Sequence, residues 1–244
     1  WTKNPQPMFS ALDELDRAGY RYYFLYTLNS YPPSIESSVP PLKDRLASFR
    51  TLAERVGPRK VIWRYDPIIL SRQHNASAHL REFEFLASAL SGATTRVIIS
   101  VLDFYRKTTR RLGHLEKETG DSFCREPVTE PELPPLISGI KELASSRNME
   151  MQSCAEDSRL AGMGIQAGKC IDDGLIQREF GISLPSVRDT GQRPACRCIP
   201  SRDIGAVDTC QHGCAYCYST GSFERASART RTHDPTHPCL FPQG

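Results

Sequence analysis

Lys60-Val61-Ile62-Trp63-Arg64-Tyr65-Asp66-Pro67 is a run of β-branched and aromatic residues, broken by a charged pair and closed by proline. Its composition predicts a strand over Lys60–Tyr65. A charged pair inside an apolar strand is costly unless it is paired or used, which marks Arg64 and Asp66. Two other runs read the same way, Tyr22–Leu28 (YYFLYTL) and Arg96–Leu102 (RVIISVL), and Met149–Cys154 (MEMQSC) is a weaker fourth. Helical period fills the gaps. Phe9–Ala18 carries Leu12 and Leu15 on one face, and Leu42–Val56 carries Leu46, Phe49, Leu52 and Val56. His79–Leu90 carries Leu80, Phe83 and Leu86, and Leu133–Leu143 carries Leu136 and Ile140. The first three strand centres lie about 37 residues apart, a β–α–β cadence that implies parallel pairing and right-handed crossovers. The expected fold is therefore α/β, a partial (β/α) barrel-like parallel sheet followed by a cysteine-rich C-terminal segment. A polar, loop-like stretch is expected from about Gly113 to Pro131.

Chemistry in such a sheet gathers at the C-terminal ends of the strands. Those ends read Thr27-Leu28-Asn29, Arg64-Tyr65-Asp66-Pro67, Ser100-Val101-Leu102-Asp103 and Cys154-Ala155-Glu156. Asp, Asn and Ser also suit loop entries and helix caps. Arg64, Asp66 and Glu156 are the candidates for holding polar groups of a cofactor or substrate.

Composition bounds the function classes. The chain has 244 residues, room for one large domain or two small ones. At 39% hydrophobic and 24% charged it reads as a soluble globular protein, and no apolar run approaches a membrane span. A net charge of +3, without aromatic residues interleaved among basic ones, gives no indication of nucleic acid. Nine cysteines, an odd number, with no signal peptide, argue against a disulfide framework and suit a reducing cytoplasm. The chain begins at Trp1 with no methionine and reads as a fragment. Residues 1–180 read as the barrel-like domain, 181–218 as the cysteine-rich segment, and 219–244 as a tail ordered only in part. In the tail, Arg225, Arg229 and Arg231 read as a solvated charge run, while His237 and Cys239 have metal-ligating chemistry.

Cys210, Cys214 and Cys217 stand in C-x3-C-x2-C spacing within Asp208–Tyr218. Three thiolates within eight residues converge on one object only if the backbone wraps around it. An iron–sulfur cube is such an object, and three ligands for four irons leave one metal position open, the mark of a reactive site. The same thiols are compatible with a zinc site or a redox dithiol. Setting aside the isolated Cys124 and Cys239 leaves Cys154, Cys170, Cys196 and Cys198, the number that closes a structural zinc site or a fully ligated cluster. Cys154 lies at a strand end, Cys170 follows the glycine-flanked stretch Gly164–Gly168, and Cys196 and Cys198 can point to one side of an extended segment. Ordinary buried thiols are the alternative for Cys154 and Cys170.

An aromatic residue, Tyr216, directly precedes the last cysteine of the C-x3-C-x2-C run, and the whole run resembles the cluster motif of radical S-adenosylmethionine enzymes. Trp1–Pro5, Val61–Pro67, Cys154-Ala155-Glu156, Gly168–Asp172, Gly191-Gln192-Arg193, Cys196-x-Cys198, Asp203-Ile204-Gly205 and Cys210–Tyr218 together resemble the prokaryotic family known as domain of unknown function 1848. Its members begin with a further segment carrying a Ser-Arg-Arg-Thr-Asp-type motif that precedes the Trp-Thr-Lys-Asn-Pro run. The resemblance implies a barrel-like α/β fold and a [4Fe–4S] cluster on Cys210, Cys214 and Cys217. It also implies S-adenosylmethionine on the open iron, an electron donor, and radical chemistry on an unknown substrate. Tyr216, with Tyr218, would shield the cluster. The other classes compatible with the sequence are an electron-transfer or sensing iron–sulfur protein and a zinc-stabilised binding module.

Overall fold

The computed structural model describes residues 1–154, 160 and 162–237. Its central element is a five-stranded sheet of β1 (Phe24–Thr27), β2 (Val61–Ile68), β3 (Arg96–Val101), β4 (Glu150–Ser153) and β5 (Gln166–Ala167). All pairings are parallel and the spatial order is the chain order. Each strand therefore lies beside its sequence neighbour, the arrangement of a partial barrel rather than of a sheet whose strand order reverses. The β2–β3 register shifts between Tyr65 and Ile68, where the Asp66–Pro67 peptide is cis.

Alternation gives the sheet two unlike faces. Phe24, Tyr26, Val61, Trp63, Tyr65, Val97 and Ile99 share one core with apolar residues of α1 (Phe9–Arg17), α2 (Leu42–Val56), α3 (Ala76–Ala89) and α5 (Leu133–Ser145). Trp63 shows how that face is fixed. It is fully buried, stacks on Phe83 with ring centroids 4.8 Å apart, and donates its Nε1 hydrogen to the Leu28 carbonyl at 2.8 Å. The opposite face, with Leu25, Ile62 and Ile98, packs on Leu175 of α6 (Asp173–Phe180) and on cysteine-bearing loops. Helix α6 has a legible start and stop. Asp172 caps its N-terminus through Gly174 and Leu175 N–H, and Gly181 ends it in the left-handed region.

The chain divides into two compact units. The sheet unit comprises Trp1–Ser30, Pro40–Leu102 and Ser122–Ser201. The other comprises Tyr31–Val39, Asp103–Asp121 and the chain from Arg202 onward. It contains α4 (Arg106–Thr119) and α7 (Phe223–Thr232). Helix α4 corrects the expectation of a loop from Gly113: its buried stripe is Thr108, Leu112 and Leu115, at helical spacing but with only two apolar residues, too thin to stand out. Helix α7 carries the arginines of the charge run, of which Arg225 and Arg231 are exposed. Arg225 pairs with Asp208 at 3.1 Å and Arg229 donates to the Val207 carbonyl. Among the described residues, no helix is long and apolar enough to cross a membrane.

Candidate functional site

Arg64 projects from β2 on the face shared with Ile62 and Ile98, and only 8% of it is exposed. Its Nε donates to Asp66 Oδ2 at 3.0 Å, a second guanidinium nitrogen meets the same oxygen, and Nη1 reaches Cys170 Sγ at 3.1 Å. Burial opposes the charge, but the Asp66 carboxylate and the Cys170 and Cys154 thiols outweigh it and hold the guanidinium firmly protonated. Asp66 in turn accepts from the Ser100 hydroxyl, and its backbone exchanges hydrogen bonds with the Asn29 amide (3.1 and 2.8 Å). The charged pair in the strand is thus an ion pair lying against a sulfur. Glu156 falls outside the described residues.

Three chain segments bring four cysteines to this face. Cys154 leaves β4, its N–H bonded to the Ile99 carbonyl at 2.8 Å, and its Sγ lies 3.6 Å from Cys170 Sγ. The N–H groups of Cys170 and Ile171 donate to Cys198 Sγ at 3.2 and 3.4 Å. Cys196, two residues before Cys198 and packed on the same cluster, ends a row running 154–170–198–196. All four side chains belong to the cluster floored by Leu25, Ile62 and Ile98. The Cys170 loop is pinned: Tyr23 Oη donates to the Cys170 carbonyl (2.7 Å) and accepts from Asp172 N–H (3.1 Å), while Arg96 holds Asp172 at 2.7 Å. Its sulfur neighbours on both sides push the Cys170 thiol up, and the same contacts draw Cys154 and Cys198 down. Burial raises Cys196. An apolar cavity of about 420 Å³, lined by Tyr22, Tyr23, Cys170, Ile171 and Phe180 among others, adjoins the loop.

The C-x3-C-x2-C run belongs to the other unit. Residues 35–38 and 212–215 pair antiparallel, through Ala215 N–H to Ile35 O (2.8 Å) and Ser38 N–H to His212 O (3.0 Å). Gly213 makes the turn into Cys214 at φ +66, where a Cβ would collide with the Ser37 hydroxyl. Cys214 is buried, Cys217 half-buried and Cys210 exposed. Cys217 N–H closes a turn on the Cys214 carbonyl at 3.0 Å. Helix α4 takes the carbonyls that follow: Thr108 binds Tyr216 O (3.3 Å), Arg111 binds Cys217 O (2.7 Å) and Thr220 O (2.6 Å), and Lys107 binds Ser219 O (3.4 Å). With those carbonyls turned to the helix, Thr220 N–H points at Cys217 Sγ at 3.3 Å. Tyr216 is half-buried against Glu36, to whose carboxylate its hydroxyl donates, and desolvation pushes its phenol well up. Tyr218 is largely exposed and lies against Tyr105.

Cys124 sits apart, bonded to Glu130, and Cys239 lies outside the described residues. Among the described residues, no group of three or more His, Cys, Asp or Glu side chains is closed into a metal shell. The supporting residues Tyr23, Glu36 and Arg111 were not marked by the sequence reading, because each acts across more than 100 residues of chain. Asp172 alone had a local sign, as a cap before a short helix.

Fold and sites together define a parallel α/β protein with two separate groups of thiols. The family model "Domain of unknown function (DUF1848)" matches residues 1–219, and the chain belongs to that family. No curated protein and no solved structure matches it.

Proposed function

We propose that this chain is an iron–sulfur protein that holds a [4Fe–4S] cluster on Cys210, Cys214 and Cys217, with one iron left for S-adenosylmethionine. One observation carries the reading: the loop bearing these thiols has its carbonyls drawn away by Thr108, Arg111 and Lys107, and an amide N–H aimed at Cys217 Sγ. That suits an anionic cluster, which is stabilised by N–H donors to its sulfurs and by nearby positive charge. When bound, such a cluster supplies the electron for reductive cleavage of S-adenosylmethionine. The chain's own residues do the positioning. The 35–38 pairing holds Cys214 at a fixed depth, Arg111 fixes the turn after Cys217, and Tyr216 covers the buried side. A cytoplasmic location, an external electron donor and an as yet unnamed substrate complete the proposal.

The test is anaerobic reconstitution with iron and sulfide, in wild type and Cys214→Ala. The expected result is about four irons and four sulfides per chain, lost in the variant. Adding S-adenosylmethionine to the reduced protein should change its electron paramagnetic resonance signal and yield 5′-deoxyadenosine slowly. No acid-labile sulfide in the reconstituted wild type would refute the cluster. A full cluster without spectral change or 5′-deoxyadenosine would leave an electron-transfer protein.

A further inference from the structure

We propose that Cys154, Cys170, Cys196 and Cys198 bind a single tetrahedral zinc-type ion, at a site separate from the C-x3-C-x2-C loop and independent of the iron–sulfur reading. The four thiols come from the end of β4, the loop between β5 and α6, and a late extended segment, yet they share one buried patch. Their spacing selects the occupant. A Zn–S bond of about 2.3 Å places neighbouring sulfurs of a tetrahedron about 3.8 Å apart. The Cys154 and Cys170 sulfurs are 3.6 Å apart. A four-iron cube binds each thiolate at a different corner and spreads them further, so the contact fits one ion and not a cluster.

The surroundings fit as well. Four thiolates and a divalent ion sum to about two negative charges, and here a buried guanidinium and two amide N–H groups already face the sulfurs. They are Arg64 at 3.1 Å from Cys170 Sγ, and the Cys170 and Ile171 amides on Cys198 Sγ. Leu25, Ile62, Ile98 and Leu175 close the apolar side, as suits a structural site without an open position. The thiols form a string rather than a closed shell, so binding must bring Cys196 and Cys154 together. Cys196 is the end of the string, half-buried on a turn closed by its N–H to Arg193 O. The ion would clamp three loops over the sheet face that packs on α6.

The probes are zinc and cobalt. Purified full chain, reduced and free of chelator, should carry about one zinc per chain. Cobalt should replace it and show the intense visible absorption of a tetrahedral thiolate site. Both should persist in Cys214→Ser and fall at least tenfold in Cys198→Ser and Cys154→Ser. Alkylation mapping of the wild type needs no variant and covers the case of misfolding: zinc should protect Cys154, Cys170, Cys196 and Cys198. Zinc that protects only Cys210, Cys214 and Cys217 would overturn the assignment. So would wild-type protein that binds neither metal, or iron with sulfide at the four cysteines.

Discussion

Replacing Arg64 with leucine removes the guanidinium that joins Asp66 to Cys170 and leaves the carboxylate on the same face without its counter-charge. Breaking a buried pair by deleting one partner costs about 3–5 kcal/mol. The Asp66 side chain keeps 22% of its exposure and retains Ser100 as a donor, which places the cost near the low end, about 3 kcal/mol. At a urea slope of about 2 kcal/mol/M the midpoint should fall by about 1.5 M. Asp66→Asn keeps the Ser100 contact but removes the charge, so the double variant Arg64→Leu/Asp66→Asn should recover about 1.5–2 kcal/mol of the summed losses. Equilibrium urea unfolding of the four proteins, read by tryptophan fluorescence at constant slope, measures this. Effects that add within about 0.5 kcal/mol would show that the pair is not coupled and would refute the reasoning.

Two further outcomes rest on other parts of the structure. His79 is buried between Tyr65 Oη (2.7 Å) and the Ile69 carbonyl (2.9 Å), and burial holds its pKa below the ordinary 6.5. A depressed histidine contributes stability above its unfolded pKa and loses it as pH falls, so wild type should weaken below about pH 6.5 more steeply than His79→Gln. Parallel pH profiles, compared by urea midpoint, would count against it. Gly213→Ala should cost about 1–2 kcal/mol from the left-handed backbone and lower the iron and sulfide retained. Unchanged metal content, with the helix content intact by circular dichroism, would remove this turn from the account of the cluster loop.

Where side chains alternate over a full strand, the sequence was informative. β2, β3 and β1 each carry enough β-branched and aromatic residues to be read locally. β5 has two residues, and no local pattern marks it; it exists because Gln152 and Ser153 offer a sheet edge. Helices α4 and α7 were missed because their buried stripes are thin, and tertiary contacts rather than periodicity hold them. The cysteines were legible as types and spacings. Their grouping on one sheet face depends on pairings such as Tyr23 with Cys170, across 147 residues of chain, which no window of sequence contains.

The support of the C-x3-C-x2-C loop is made early and completed late. Glu36 waits through 180 residues of chain for Tyr216, and Arg111 through 106 for Cys217. At about 5–20 residues per second, a ribosome takes roughly 5–20 s to bridge the shorter gap. For that interval the 31–39 segment and α4 have no loop to hold. Three cysteines then emerge together within eight residues, onto partners already made. Assembly of the cluster proposed for this loop would therefore wait for Cys217 to be made, long after the strands of the sheet.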